Sequence, residues 1–192
     1  MKSASLEFKT SGITLAELMV VVFLVSFLGL LGTYMLFDAD AWLAHYRLRA
    51  AARDLYSNMQ KARMQAIREN RSWAIVFDVE GNRYILCSDK GPDGVWSSYE
   101  DNTIVETINL SSYKSGVTYG AGTATHGATS DEGGIPSDFV SFNYNVVVFG
   151  SEGYPSTSGY CYLTNKKGEA CAVGALTSGV ITVKVWNGTT WE

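Results

Sequence analysis

The first pattern along the chain is a run of residues without a formal charge. It extends from Leu18 to Phe37 and contains twenty residues. At about 1.5 Å per residue, a helix of this length spans roughly 30 Å, which is the hydrocarbon thickness of a bilayer. A short polar segment, residues 1–12, precedes the run, and no small-x-small cleavage site of an ordinary secretory signal follows it. The pattern predicts one transmembrane helix that stays with the mature chain.

A second helical pattern covers residues 41–70. This segment contains no Gly or Pro, and its apolar residues recur at alternating steps of four and three, at Leu48, Ala52, Leu55, Met59, Ala62 and Ala66. Such spacing places them on one face of an amphipathic helix, which we expect to continue the apolar run and to pack on a sheet. The arginines and lysines of the segment predict a solvated face. Contact with DNA or anionic lipid headgroups is the alternative.

After Arg71 the spacing of apolar residues changes to that of strands. Residues 73–77 and 83–87 flank the turn Glu80-Gly81-Asn82, which is typical of a hairpin. Further strands are predicted at residues 104–108, 139–144, 146–149, 160–164, 170–173 and 180–186, with a last edge strand at 189–191. Residues 120–134 are rich in Gly, Thr and Ser and predict an exposed loop. A helix followed by antiparallel strands indicates the α+β class.

Glu17 stands out because a carboxylate at the mouth of an apolar helix is unfavourable in lipid unless another charge compensates it. Cleavage after Gly12 would make Ile13 a cationic amino terminus. A carboxylate in the first helical turn also meets the positive end of the helix dipole. We therefore expect Glu17 to pair with the terminal amine of a neighbouring subunit in a helical bundle. The alternative is a signal anchor with an incidental acidic residue.

The segment Gly12-Ile13-Thr14-Leu15-Ala16-Glu17-Leu18 resembles the class III signal of type IV pilins and type II secretion pseudopilins. The resemblance implies cleavage between Gly12 and Ile13 by a membrane prepilin peptidase and N-methylation of Ile13. It also implies that Glu17 is the assembly residue. The chain departs from the family pattern at Ile13, where Phe is most common, and lacks the helix Pro of many major pilins.

Residues 62–71 are similar to the helix end of a narrower family. That family unites the H-type minor pseudopilins of type II secretion with the fimbrial T-type minor pilins. Residues 149–153, 160–165 and 181–188 resemble the closing strands of its members, whereas residues 88–138 match poorly. The resemblance implies a long amino-terminal helix packed on two antiparallel sheets.

The charge of the chain bears on its partners. The formal net charge is −4, and Lys184 is the only cation after Lys167. Some minor pilins of the family bind DNA through basic residues near the carboxyl end. Few cations there mean few phosphate contacts and little salt-dependent affinity, so nucleic acid is a disfavoured partner.

The three cysteines are expected on the oxidising, periplasmic side of the membrane. Cys161 and Cys171 flank the turn Lys166-Lys167-Gly168, so a hairpin would place them almost opposite each other. This spacing predicts a disulfide between them. The alternative is two reduced strand cysteines. Cys87 ends an apolar strand and is expected to be buried rather than reactive.

Catalytic chemistry finds no support in the sequence. His45 and His126 are the only histidines, and no Ser/His/Asp set, metal-ligand spacing or glycine-rich phosphate loop stands out. The acidic stretch 89–101 could suit calcium, but turn chemistry explains the same residues. We expect no enzymatic activity, no cofactor and no metal site.

The sequence therefore predicts a minor pseudopilin of type II secretion that assembles through its amino-terminal helix into a periplasmic pseudopilus. Its partners are other pseudopilins or pilins, the prepilin peptidase and the inner membrane. The alternatives are a minor pilin of a type IV pilus and a DNA-binding pilin for uptake. The predicted segments are a leader peptide (1–12), a single-pass transmembrane and assembly helix (13–37), its periplasmic continuation (38–71) and a periplasmic β domain (72–192).

Overall fold

A 55-residue helix, α1 (Leu15–Glu69), forms the amino-terminal part of the protein. The computed structural model describes Gly12, residues 14–129 and residues 134–192, without the side chains of residues 31–41. The chain divides into two units, Met1–Asp40 and Ala41–Glu192. The second unit contains the rest of α1 and all strands that the structure describes, namely β1 (Trp73–Asp78), β2 (Arg83–Asp89), β3 (Thr103–Asn109), β4 (Thr118–Tyr119), β5 (Val146–Phe149), β6 (Gly159–Thr164), β7 (Ala170–Ala175) and β8 (Ile181–Val185).

The carboxyl end of α1 is closed by its own backbone. Asn70 has a positive φ of 50°, a conformation that Asn tolerates better than most residues. Its N–H bonds the carbonyl of Ile67 at 3.3 Å, and the N–H of Arg71 bonds the carbonyl of Ala66 at 3.2 Å. These two bonds form a Schellman motif, which satisfies helix carbonyls and turns the chain towards β1.

Two four-stranded antiparallel sheets complete the second unit. The first has the order β3-β2-β1-β5 and the second the order β4-β6-β7-β8. The predicted hairpin of β1 and β2 is confirmed, with Ala74 opposite Cys87 and Asp78 opposite Arg83. An amino-terminal helix packed on antiparallel sheets confirms the α+β class.

The apolar stripe of α1 is the centre of the core. All six predicted stripe residues are buried, and Leu55 and Met59 are completely inaccessible. They pack with inward-facing residues of both sheets, among them Ile75, Tyr84 and Val173. The Nδ2 of Asn58 donates a hydrogen bond to the Tyr84 hydroxyl at 3.0 Å, so this buried phenol has a polar partner.

Two predictions about the strands and loops are wrong. Residues 139–144 do not form a strand, because Phe139 and Tyr144 have φ of 63° and 56°, outside the extended region. This segment pairs with β6 at a single bridge, between Val140 and Cys161, and the hydroxyl of Ser141 accepts a hydrogen bond from the N–H of Tyr160 at 2.7 Å. The loop 120–134 is not uniformly exposed, since Ala121 and Ala128 are buried, and its residues 130–133 lie outside the described part.

The turn between β1 and β2 is held by the carboxylate of Asp78. It accepts hydrogen bonds from the N–H of Gly81 at 2.9 Å, from Nε of Arg83 at 2.7 Å and from the hydroxyl of Tyr99 at 3.1 Å. Burial by itself would raise the pKa of Asp78, but these donors outweigh it and hold the pKa below its usual value. Asp78 therefore stabilises the fold when ionised.

We expect Asp78→Asn to lower the free energy of unfolding by about 1.5 kcal/mol at pH 7, as for a hydrogen-bonded charge. Because the folded-state pKa is lowered, this stabilisation is complete above the unfolded-state pKa and is lost as the pH falls through the folded-state value. The difference between variant and wild type should thus shrink below about pH 4. Denaturant unfolding of both proteins at pH 7 and pH 3 measures this difference in the free energy of unfolding. Glu80→Gln, an equal charge change at an exposed position of the same turn, is the control; an equal loss in both variants would contradict the role of Asp78.

Candidate assembly surfaces

The start of α1 presents the residues of the predicted processing and assembly site. Gly12 is exposed and precedes the helix, which begins at Leu15. An exposed, non-helical peptide is the form that a protease can bind. Ile13, the predicted new terminus and methylation site, lies outside the described residues. Gly12 is thus accessible, and cleavage between Gly12 and Ile13 stays a prediction.

Glu17 lies exposed in the first turn of α1. Its backbone N–H donates a hydrogen bond to Oγ1 of Thr14 at 3.3 Å, so Thr14 caps the helix. The order Thr14-x-x-Glu17 has the spacing of a capping box, a helix-start signal that our sequence analysis overlooked. Helix capping is thus a second reason for an acidic residue here, beside a partner from another subunit.

The helix surface that follows Glu17 is apolar and exposed in the single chain. Every residue of α1 from Leu15 to Leu30 is exposed, and the rings of Phe23 and Phe27 stack with centroids 6.3 Å apart. An apolar surface of this size on a folded protein marks a membrane or protein contact. Within the part of the chain that the structure describes, no helix is both long and apolar enough to cross a membrane. The predicted span 13–37 includes Ile13 and the side chains of 31–37, which lie outside that part.

The basic residues of α1 in the second unit do not form one continuous free face. Lys61 pairs with Glu106 of β3 at 2.9 Å, and Arg47 donates a hydrogen bond to the Ser115 hydroxyl at 2.6 Å. Arg71, just after the end of α1, bonds Glu69 at 2.7 Å, and this hydrogen bond lowers the pKa of the Glu69 carboxyl. These side chains join α1 to neighbouring loops and strands, which leaves fewer cations for a nucleic-acid backbone.

The predicted disulfide between Cys161 and Cys171 is not formed, and all three cysteines are free and buried. The register explains why. Leu163 stands opposite Cys171, and Cys161 stands opposite Val173, so the two cysteines are diagonal neighbours rather than opposite each other. Diagonal neighbours are roughly 7–8 Å apart, which is beyond the usual reach of a disulfide without backbone movement.

Burial also makes the thiols poor nucleophiles. It raises the pKa of Cys87 and of Cys171 to about 11, and that of Cys161 well above its ordinary value. Since the thiolate is the reactive form, these cysteines are packing residues. A disulfide stays a prediction that requires a shift of the β6–β7 register.

The acidic stretch 89–101 uses its carboxylates in turns. Asp89 accepts a hydrogen bond from the N–H of Gly91 at 2.9 Å, and Asp93 accepts one from the N–H of Val95 at 2.9 Å and another from the Ser98 hydroxyl. These bonds hold the pKa of Asp93 below its usual value. Among the described residues, no group of three or more His, Cys, Asp or Glu is placed to hold a metal ion.

The two histidines lie apart in different surroundings. Nδ1 of His45 lies 3.0 Å from Oε1 of Glu169, and both side chains are partly exposed. His126 packs its ring edge against Trp186, with centroids 5.0 Å apart. Neither histidine has a hydrogen-bonded Ser or Cys nucleophile of the kind that acyl transfer needs among the described residues.

Comparison with known proteins identifies the protein family. Residues 51–179, well over half of the chain, match the family model of the type II transport protein GspH. The fold is similar to the type IV minor pilin FimU of Pseudomonas aeruginosa, at 14% identity over 76% of this chain and 97% of FimU, with a TM-score of 0.50. It is also similar to the minor pseudopilin EpsH of the Vibrio cholerae type 2 secretion system, at 13% identity over 71% and 95%, with a TM-score of 0.45.

Comparison with curated proteins gives no match. The GspH match includes the last third of α1 and all strands from β1 to β7, and it ends just before β8. It includes the 88–138 region, in which the sequence analysis found little resemblance. The chain therefore belongs to the GspH family of type II transport proteins, the minor pseudopilins that its sequence resembles.

Proposed function

We propose that this protein is incorporated through the amino-terminal part of α1 into a pseudopilus on the periplasmic side of the inner membrane, where it serves protein export. The single observation that carries the proposal is the exposed apolar surface of residues 15–30. A structural role in assembly with other pseudopilins or pilins follows from the family. Such a role needs no catalytic site.

The finer steps belong to the same proposal. A prepilin peptidase cuts the chain between Gly12 and Ile13 and methylates Ile13. Residues 13–37 hold the protein in the inner membrane as a single pass until assembly, with the second unit in the periplasm. Glu17 then pairs with the terminal amine of a neighbour. The exposure of Gly12 and Glu17 supports these steps, since a protease and a partner subunit both need access.

The experiment is a deletion strain complemented with the wild-type gene and assayed for exported proteins in the medium and for surface pili with twitching. We expect secretion to stop on deletion and to return on complementation, while pili stay intact. Lost pili with intact secretion would contradict the proposal and assign the protein to a type IV pilus, in line with its structural likeness to a minor pilin. Intact secretion and pili would contradict both functions.

A further inference from the structure

Strand β8 leaves part of its outer edge open. The N–H of Trp186, next after β8, bonds the carbonyl of Ala170, at the start of β7. The N–H of Val185 points the other way and bonds the carbonyl of Glu192 at 2.7 Å. Because successive N–H groups of a strand alternate in direction, the N–H of Val183 also points away from β7. The N–H of Glu192 in turn bonds the carbonyl of Val185 at 3.0 Å, so the tail covers the edge there. Within the described residues the only strand that pairs with β8 is β7, so its outer edge is open at Ile181 and Val183.

A groove of about 330 Å³ lies between this strand and α1. Side chains of α1, β7 and β8 line it, among them Arg49, Arg53, Tyr56, Cys171, Val183 and Val185. Valine, cysteine and the tyrosine ring make much of the lining apolar, and the two arginines supply its charge. The groove therefore combines an open sheet edge, apolar contact area and two cations.

The arginines of the groove are unpaired. Both are exposed, and neither has a hydrogen-bond or ion-pair partner among the described residues. Lys61, by contrast, has a carboxylate partner on β3. A guanidinium presents a fork of donors that matches a carboxylate, so the groove is prepared for an acidic ligand.

We propose that this groove binds an extended acidic segment of a neighbouring pilin-type subunit, which adds to β8 as a further strand. The proposal deepens the assembly function above and rests on it. Arg49 and Arg53 are four residues apart on a helix, which separates them by about 6 Å along the helix axis. Residues i and i+2 of a strand are separated by a similar distance, about 6.6 Å. Carboxylates at positions i and i+2 of the added strand would thus each reach one arginine.

The chemistry of the edge selects a polypeptide over other anions. An open strand offers alternating N–H and C=O groups, which a second backbone satisfies in the manner of β-strand addition. A phosphate, whether of DNA or of a lipid headgroup, accepts from N–H groups but cannot donate to the carbonyls. The apolar lining also favours side chains on the added strand over a solvated sugar-phosphate chain.

A capped peptide of alternating Thr and Glu tests the proposal. It is titrated into the full chain in detergent micelles, and NMR follows the amide signals of Ile181 and Val183. We expect these signals to shift and those of β3 to stay. The same peptide with Gln in place of Glu should bind at least about tenfold more weakly, because it loses the charge-assisted bonds. Absent shifts, or equal shifts with both peptides, would overturn the proposal.

Matched variants make the test specific. Arg49→Gln with Arg53→Gln should abolish the shifts, whereas Arg68→Gln, an exposed arginine of the same helix outside the groove, should keep them. Retained peptide binding in the double variant would overturn the proposal. Shifts of the β8 signals that grow with protein concentration alone, without peptide, would also overturn it, because they would identify a second copy of this chain as the occupant. The titration needs no secretion, so its failure and a failure of the secretion assay are separate results.

Discussion

Replacing Glu17 with alanine is expected to reduce incorporation into the filament at least about a hundredfold while membrane insertion persists. Loss of one partner from a buried ion pair typically costs about 3–5 kcal/mol, and each 1.4 kcal/mol is a factor of ten. In the single chain Glu17 is exposed, so folding does not require its charge. Crosslinking to other pseudopilins in membranes, with total and membrane-bound protein quantified together, measures the effect.

Two control variants separate assembly from helix capping. Glu17→Gln keeps a side chain suited to a capping box but removes the charge, so it should fail like alanine. Thr14→Ala removes the hydroxyl that accepts the Glu17 N–H and keeps the charge, so it should retain most incorporation. If Thr14→Ala is as defective as Glu17→Ala, or if Glu17→Gln assembles normally, the charge is not what assembly requires.

Replacing Leu55 with alanine is expected to destabilise the second unit by about 2–5 kcal/mol, the range for a truncated core leucine. Leu55 is fully inaccessible in the cluster that joins α1 to both sheets. Removal of its branched end leaves a cavity that the rigid strands fill only partly. Denaturant unfolding of the full chain in micelles, followed by tryptophan fluorescence, measures the loss.

Met64→Ala is the matched control on the same helix, since Met64 is 68% exposed. It should change the free energy of unfolding by no more than about 0.5 kcal/mol. Equal midpoints for Leu55→Ala and Met64→Ala would contradict the packing of α1 on the sheets. A loss confined to Leu55→Ala would support it.

Local patterns predicted a large part of the fold because they act over short distances. The stripe of α1 was correct in all six residues, since helical periodicity alone decides which side chains share a face. The hairpin of β1 and β2 was correct because its turn residues and flanking strands lie next to each other. The cap at Thr14 was visible in the spacing to Glu17 and was overlooked.

Other features depend on partners far away in the chain. The two-residue strand β4 is too short for a periodic pattern and exists because it pairs with β6. Residues 139–144 have the apolar composition of a strand, yet positive φ values end the extended backbone. The relation of Cys161 to Cys171 depends on a register that a turn of a few residues does not fix by spacing alone.

The sequence by itself determined the α+β class, the apolar helix with an acidic first turn and the resemblance to minor pseudopilins, because these reside in composition, periodicity and contiguous motifs. Only the tertiary structure decided which cations are paired, that Cys161 and Cys171 do not stand opposite each other, and where a sheet edge stays open. Those properties arise where segments distant in sequence meet, as Arg49 and Arg53 meet β8. The order of residues along the chain does not specify the distances between such segments, because tertiary packing determines them.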